Sequence, residues 1–181
     1  MSKKIGIIVG SLRKGSFTRS IASEMKALLP EGYEGEIIEI RQLPLFDQDD
    51  EAPGATPASY EAFRDKIEAM DAFIFATPEY NRSFPAALKN ALDVGSRPWG
   101  QNRWNGKPAL IVSVSPGAIG GFGANHHLRQ VLSFLNMDTV QQPEAYIADV
   151  MSVLNEFGQL TSEDTRAFLK TLVDALIAKL K

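Results

Sequence analysis

The 181-residue chain contains no cysteine and only two histidines, which are adjacent at His126 and His127. The absence of cysteine excludes disulfides, thiolate metal sites and every mechanism with a cysteine nucleophile, including that of phosphatases whose loop cradles phosphate. Two neighbouring histidines cannot supply the dispersed ligands of a histidine-rich metal site. We therefore expect neither a metal centre nor cysteine chemistry.

The chain also lacks an excess of positive charge and any long hydrophobic run. Its net charge of −3 argues against general affinity for nucleic acid and gives no reason to expect attraction to an anionic membrane. The apolar stretch after Lys3-Lys4 ends at Gly10, so it is too short for a signal peptide or a membrane span. The sequence thus predicts one cytoplasmic domain over residues 1–181 that binds neither nucleic acid nor membrane.

Strand and helix patterns alternate along the chain. Buried strands are predicted at 4–9, 36–40, 72–76 and 109–114, and a weaker fifth strand between 139 and 147 is interrupted by Pro143. Helical spacing of apolar residues lies between the strands, and the last helix is predicted to begin at Thr161. This alternation predicts an α/β fold, in which helices cover both faces of a five-stranded parallel sheet as a three-layer sandwich. Because ligands of such sheets bind beyond the carboxyl ends of the strands, the loops after strands one, three and four are expected to converge.

The loop after the first strand has the composition of an anion site. Its candidate donors are three hydroxyls and two cations: Ser11, Ser16, Thr18, Arg13 and Lys14. A helix follows directly, and hydroxyl and amide donors at a helix N-terminus, reinforced by arginine, bind a phosphate dianion.

Two familiar nucleotide motifs do not fit this loop. A Walker loop requires a lysine where this chain has Ser16, and a dinucleotide fingerprint requires a third glycine besides Gly10 and Gly15. The loop therefore suits one terminal phosphate better than a triphosphate or a pyrophosphate. From the loop alone, a plain connector whose arginine faces solvent is an equal alternative.

The loops after the third and fourth strands suit a flat ligand. Residues 77–85 contain two prolines, which stiffen the backbone, and Tyr80, which offers an aromatic face with a polar tip. Residues 115–123 contain four glycines, which let the backbone approach a ligand closely. A loop stiffened only for stability and a mobile lid or plain linker are the respective alternatives.

Several stretches resemble, in the same order, those of the NAD(P)H-dependent FMN reductase family, the flavodoxin-like quinone, azo and chromate reductases. They are residues 10–17 (GSLRKGSF), 77–81 (TPEYN), 88–93 (LKNALD), 106–108 (GKP) and 127–130 (HLRQ). The resemblance implies a flavodoxin-like fold, bound FMN, NADPH or NADH as co-substrate, and a homodimer or homotetramer. It also implies two-step, ping-pong reduction of a small-molecule electron acceptor such as a quinone, an azo compound, chromate or free flavin.

The same resemblance implies an FMN site residue by residue. The 5′-phosphate would be held by Ser11, Arg13, Ser16, Phe17 and Thr18. The isoalloxazine would be lined, mainly through backbone groups, by Pro78, Glu79, Tyr80 and Asn81, and approached from its other side by Ser115 and the glycines behind it, including Gly117. No side chain is assigned as a catalytic acid or base, because the flavin carries the chemistry. A non-enzymatic flavodoxin-type electron carrier is the alternative; such carriers are typically strongly acidic, and the net charge of −3 weighs against it.

Some residues outside this set have open roles. Arg82 and Arg103 are candidates for binding the phosphates of the nicotinamide nucleotide, although an ordinary surface role is the commoner one for each. Trp99 and Trp104 are expected to cover a pocket or to pack against a second subunit.

Two further features concern α-helical segments, and the second of them, together with Arg82, leaves the preferred acceptor undecided. His126 and His127 fall near the start of a helix, where structural or subunit-contact roles are favoured over catalysis. Val94-Gly95 stands where many relatives carry an aromatic residue.

Overall fold

A parallel sheet forms the centre of the computed structural model, which describes residues 2–180. Its strands are β1 (Lys3–Val9), β2 (Tyr33–Ile38), β3 (Ala72–Pro78), β4 (Pro108–Val114), β5 (Asp138–Thr139) and β6 (Tyr146–Ile147). Their order is β2-β1-β3-β4-β5, and β6 also pairs with β4. Every pairing is parallel, as the alternation of strands and helices predicts.

Helices cover both faces of this sheet. They are α1 (Phe17–Ala27), α2 (Ala58–Glu68), α3 (Ala86–Gly95), α4 (Phe122–Phe134), α5 (Val150–Val153) and α6 (Glu163–Ala178), with a 3₁₀ turn at Gln48–Glu51. Apolar residues of α1 and α6 pack on one face, and those of α2, α3 and α4 pack on the other. In residues 2–180, no helix has the length and apolar character that crossing a membrane requires.

Side chains of the central strands alternate between two cores. Ile7 belongs to the core under α1 and α6, whereas its neighbour Ile8 belongs to the core under α2, α3 and α4. Both side chains are fully buried. A strand buried on both faces has no polar alternation, and this explains why β1 reads as a continuous apolar run. The predicted three-layer sandwich is confirmed.

The second strand begins earlier than the sequence predicts. β2 starts at Tyr33 rather than at Glu36, with Gly35 inside the ladder. A Cβ on Gly35 would lie 2.8 Å from Leu29 Cδ1 and 2.9 Å from Lys26 Cγ. Because glycine has no Cβ, the end of α1 can pack closely against the strand at this position. A glycine that usually weakens a strand pattern is required here by close packing.

The predicted fifth strand is divided into two short segments. β5 pairs with the beginning of β4 at Pro108–Ala109, and β6 pairs with its end at Ser113–Val114. Pro143 lies between the segments and has no N–H to donate to a ladder. At the last helix, the Ser162 hydroxyl accepts a hydrogen bond from Thr165 N at 3.2 Å, so this helix begins at Glu163 rather than at Thr161.

A partly buried ion pair fastens the long β2–α2 connection to the end of α3. Arg97 donates from Nε to Glu51 Oε1 at 2.8 Å and from Nη2 to Oε2 at 2.5 Å. These hydrogen bonds lower the pKa of Glu51 below its ordinary value. Ionised Glu51 therefore stabilises the folded state above the pKa of the unfolded chain, and this contribution is lost as the pH falls through the folded-state pKa.

We expect Glu51→Gln to lower the free energy of unfolding by about 1–2 kcal/mol at pH 7, because a charge-assisted bidentate contact is lost. The difference from the parent should begin to narrow as the pH falls below the unfolded-chain pKa of about 4.3, and it should be lost as the pH falls further through the lowered folded-state pKa, where the parent carboxyl takes up its proton. Urea unfolding at several pH values measures both effects. Asp93→Asn is the control: its pair with Lys89 is exposed and should cost no more than about 0.5 kcal/mol. A difference that is the same at pH 7 and pH 3 would contradict the assignment.

Candidate functional site

The loops after β1, β3 and β4 contact one another at the carboxyl edge of the sheet. Gly10 N donates to Ala76 O at 2.8 Å, and a Cβ on Gly10 would lie 3.4 Å from Pro78 Cδ. A Cβ on Gly121 would lie 3.6 Å from Glu79 Cβ. Because these three strands are neighbours, the loops form one continuous surface. The structure thus brings together the three loops that the sequence singles out.

The loop after β1 presents buried hydroxyls at the start of α1. Ser11, Ser16 and Thr18 are only 8%, 4% and 3% exposed. The Ser16 hydroxyl is the N-cap of α1 and accepts from Arg19 N at 3.2 Å, so its own O–H remains free to donate. The first N–H groups of the helix have no partner within it.

A cation stands over this helix start. The Arg13 guanidinium lies 4.8 Å from the ring centroid of Phe17, the first residue of α1. Residues 10–19 contain no carboxylate. Hydroxyls, helix N–H groups and a guanidinium without a competing acid are the donor set that a phosphate dianion requires. The residues present therefore fit a phosphate group.

A tight turn shapes the loop after β3. Tyr80 N donates to Ser83 O at 2.8 Å and Ser83 N to Tyr80 O at 3.0 Å, with φ of 51° at Asn81 and 65° at Arg82. Two residues with positive φ between paired neighbours are typical of a type I′ turn, and such a conformation is costly for arginine. The turn leaves the Tyr80 side chain half exposed at the edge of the site.

The Glu79 side chain fastens the loop after β3 to the first turn of α4. Its Oε2 accepts from Ala124 N, at the start of α4, at 3.1 Å, and its Oε1 accepts from Arg82 Nη1 at 2.8 Å. The carboxylate side chain is 10% exposed. Glu79 is therefore committed to protein contacts, as is the exposed Arg82 through this pair. The motif predicts Glu79 at the site, but the clamp to α4 depends on packing that a sequence pattern does not contain.

Gly123 lies where α4 approaches the loop after β3 most closely; we call the contact of Glu79 with Ala124 the Glu79 clamp. A Cβ there would lie 2.7 Å from the backbone oxygen of Arg82 and 3.0 Å from Glu79 Oε2. We expect Gly123→Ala to destabilise the protein by about 1–3 kcal/mol, because the overpacking against a carbonyl exceeds a gain in helix propensity of about 1 kcal/mol. Urea unfolding measures the loss. Gly117→Ala is the control, since its Cβ would meet only Ser115 Oγ at 3.5 Å and should change stability little. Equal stability of the two variants would contradict the clamp.

The loop after β4 is folded on itself. Gly117 N donates to Ser115 Oγ at 3.0 Å, and Gly117 O accepts from Gly120 N at 3.1 Å. The Ser113 hydroxyl donates to Gly120 O at 2.7 Å from within the sheet. Because the Gly117 N–H is used inside the loop, its contribution to a ligand site is the absence of a side chain rather than a donor.

Both histidines lie in α4 and bond to neighbouring loops. His126 Nε2 is 2.8 Å from the Tyr146 hydroxyl, and His127 Nδ1 is 3.1 Å from Ser83 Oγ. Burial, followed by hydrogen bonding to Glu144, raises the pKa of Tyr146 to about 12. Tyr146 therefore stays a neutral donor at physiological pH. These contacts support a structural role for the pair.

The structure disfavours the candidate role of Arg103 in nucleotide binding and contradicts the expected role of Trp104. Arg103 Nε lies 3.0 Å from Glu68 Oε2 at the end of α2, where the chain enters β3. That position is at the amino edge of the sheet, so Arg103 cannot reach a ligand at the carboxyl edge. Trp104 is fully buried in the core of this chain and covers no pocket, whereas Trp99 is 84% exposed and its expected role stays a prediction.

Trp104 also packs closely against the end of α3. A Cβ on Gly95 would lie 2.5 Å from Ile67 Cδ1 and 2.6 Å from the Trp104 ring. The space beside Val94-Gly95 is therefore already filled by an indole from the connection after α3. Val94 is fully buried and Gly95 contacts the core, so both residues lie away from the carboxyl edge of the sheet.

Sequence reasoning misses one residue beside the phosphate loop. Arg41 follows β2 and donates from Nη2 to the backbone oxygen of Leu12. The parallel pairing of β2 with β1 is the signal that could have located it, because it puts both strand ends at one edge. A pocket of about 240 Å³ opens there, and a larger cavity of about 810 Å³ lies between α1 and residues 155–160.

Comparison with known proteins agrees with this geometry. The sequence model of the NADPH-dependent FMN reductase family matches residues 3–151. A quinone reductase from Pseudomonas putida is 50% identical over 177 residues, which cover 98% of this chain and 94% of that protein. The structure of FerB, a flavoenzyme NAD(P)H:(acceptor) oxidoreductase from Paracoccus denitrificans, is 37% identical with a TM-score of 0.90, covering 98% of this chain and 97% of its own. A flavodoxin from Pseudomonas aeruginosa has a TM-score of 0.60 at 18% identity and covers 96% and 99% of the two chains, which confirms the flavodoxin-like fold alone.

Proposed function

This chain belongs to the NADPH-dependent FMN reductase family, and we propose that it is an FMN-dependent oxidoreductase that passes two electrons from NAD(P)H to quinones or similar acceptors. The observation that carries the proposal is the donor set at the start of α1. It offers buried hydroxyls, helix N–H groups and Arg13 to one phosphate, and FMN has one phosphate. We propose that all of the residues that the family resemblance assigns to the FMN site bind FMN in this protein.

The remaining loops would shape the rest of the FMN site. Tyr80 and the backbone of residues 78–81 would line one side of the ring system, and the glycine-containing segment after Ser115 would approach the other. Bound flavin supplies hydride acceptance and donation, and no protein side chain needs to take part in that step. The contact of Glu79 with Ala124 would fix the position of the loop after β3 relative to α4, which follows the loop after β4. The space between the two loops that would hold the flavin ring is then preorganised.

A ping-pong cycle requires that the nicotinamide nucleotide leave before the acceptor binds. An open loop edge with half-exposed Tyr80 is consistent with one shared site for both substrates. The cytoplasmic location and the homodimer or homotetramer stay predictions, as does the identity of the acceptor.

One experiment tests this function. The purified protein is reconstituted with FMN, mixed anaerobically with NADPH or NADH, and followed by the loss of the flavin's visible absorption band; a quinone is then added. We expect reduction by the nucleotide and reoxidation by the quinone, with parallel lines in two-substrate kinetics. Bound FMN that neither nucleotide reduces would overturn the proposal in favour of an electron carrier. Failure to bind FMN would overturn both functions.

A further inference from the structure

A basic pocket lies between the phosphate loop and the end of β2. Its volume is about 240 Å³, and its charged lining consists of four cations and one carboxylate: Arg13, Lys14, Arg19, Arg41 and Glu39. The whole chain carries a net charge of −3. Positive charge is therefore concentrated here against the average of the molecule, and a concave surface of one sign attracts anions.

Within residues 2–180, two of these cations, Arg41 and Lys14, have no carboxylate partner and are not assigned to the FMN phosphate as Arg13 is. Arg19 forms an ion pair with Glu39, which occupies the one carboxylate of the pocket. Arg41 spans the two walls by donating to Leu12 O, a bond that leaves its charge uncompensated. Lys14 is exposed and has no ion pair within the part of the chain that the structure describes.

The pocket differs from the larger cavity nearby and from the predicted FMN phosphate cradle, by which we mean Ser11, Arg13, Ser16, Phe17 and Thr18. It shares Ser11 and Arg13 with the cradle, but neither the Ser16 nor the Thr18 hydroxyl lines it. The cavity of about 810 Å³ has balanced charges, two arginines against two glutamates. A second anion beside the phosphate loop therefore finds its best partners in the basic pocket.

We propose that this pocket binds the 2′-phosphate of NADPH and makes the enzyme prefer NADPH to NADH, an inference that rests on the proposed function. The volume suits a phosphate or phosphoribose group and is small for a whole dinucleotide. The 2′-phosphate is the group that distinguishes the two nucleotides. Arg41 and Lys14 offer it charge-assisted hydrogen bonds that NADH cannot use.

Kinetics with both nucleotides test the preference. In FMN-loaded protein, Arg41→Gln and Lys14→Gln should each raise the KM for NADPH about tenfold and change the KM for NADH less than twofold. Lys14→Gln removes no described contact, so it keeps the test valid if Arg41→Gln folds poorly. Arg41→Lys should retain most of the NADPH preference, because it keeps the charge. Lys26→Gln makes the same charge change at the far end of α1 and should alter neither KM.

Equilibrium binding provides a readout that does not depend on turnover. Titration calorimetry of the FMN-loaded protein should show tighter binding of adenosine 2′,5′-bisphosphate than of AMP, and added salt should reduce the difference. Each glutamine variant should lose about tenfold in affinity for the bisphosphate and little for AMP.

Three results would overturn the proposal. Equal losses for NADPH and NADH, or for bisphosphate and AMP, would mean that the pocket does not read the 2′-phosphate. Loss of FMN from either variant would assign the pocket to the flavin phosphate, and unchanged affinities would mean that no phosphate binds there. Failure of the proposed function is distinguishable, since the parent protein itself would then bind no FMN or remain oxidised with both nucleotides.

Discussion

Replacement of Arg13 by alanine is expected to weaken FMN binding by about 1.5–3 kcal/mol, or about 10- to 150-fold in the dissociation constant. The guanidinium is held over the first turn of α1 by its contact with Phe17, beside hydroxyls that are almost completely buried. Its charge therefore lies beside the helix N-terminus at which we propose the phosphate binds, and residues 10–19 offer no carboxylate as a competing partner. Quenching of flavin fluorescence on titration of the apoprotein measures the constant.

Riboflavin supplies a sharp control because it lacks the phosphate. Arg13→Ala should leave the affinity for riboflavin almost unchanged, so that the coupling between the side chain and the phosphate is obtained from the two ligands and two proteins. Arg13→Lys should recover part of the FMN affinity through its charge, but not the planar, forked contact. An equal loss for FMN and riboflavin would show that Arg13 acts on the loop's conformation and that the phosphate lies elsewhere.

The loop after β1 was predictable because its signals are local. A strand buried on both faces, a glycine, hydroxyls and a helix start follow one another within residues 4–18, and each has a direct physical meaning. The convergence of the three loops was also predictable, since it follows from the order of parallel strands. These inferences need no knowledge of how distant side chains pack.

Other features depend on contacts between distant segments and leave no local pattern. The early start of β2 depends on Gly35 receiving the end of α1, and the Glu79 clamp depends on the backbone of α4. Arg41 follows the second strand without any motif of its own, yet the pairing of β2 with β1 brings it to the phosphate loop. The partners of Glu79 and Arg41 are 45 and 29 residues away along the chain, and the partners of Gly35 lie at the end of a different element that only the fold brings against the strand.

The two tryptophans illustrate the same limit. Both lie in one short connection rich in glycine, asparagine and arginine, where the sequence predicts that each covers a pocket or packs against a second subunit. Trp104 is instead fully buried, with its ring centroid 5.0 Å from that of Phe73 and 5.7 Å from that of Phe75. Its Nε1–H donates to Leu92 O at 3.0 Å. Trp104 therefore belongs to the core under α2, α3 and α4, although it lies in a loop.

Trp104→Ala should therefore lower the free energy of unfolding by about 3–5 kcal/mol, because it leaves a large cavity among aromatic rings. Trp99→Ala is the matched comparison and should change stability by no more than about 0.5 kcal/mol in a monomer, since that side chain is 84% exposed. Urea unfolding at several protein concentrations separates the two roles. A core residue gives the same loss at every concentration, whereas the loss from a subunit contact grows with concentration by mass action. A concentration-dependent loss for Trp104→Ala would contradict its place in the core. The same behaviour for Trp99→Ala would identify Trp99 as the interface residue of the pair.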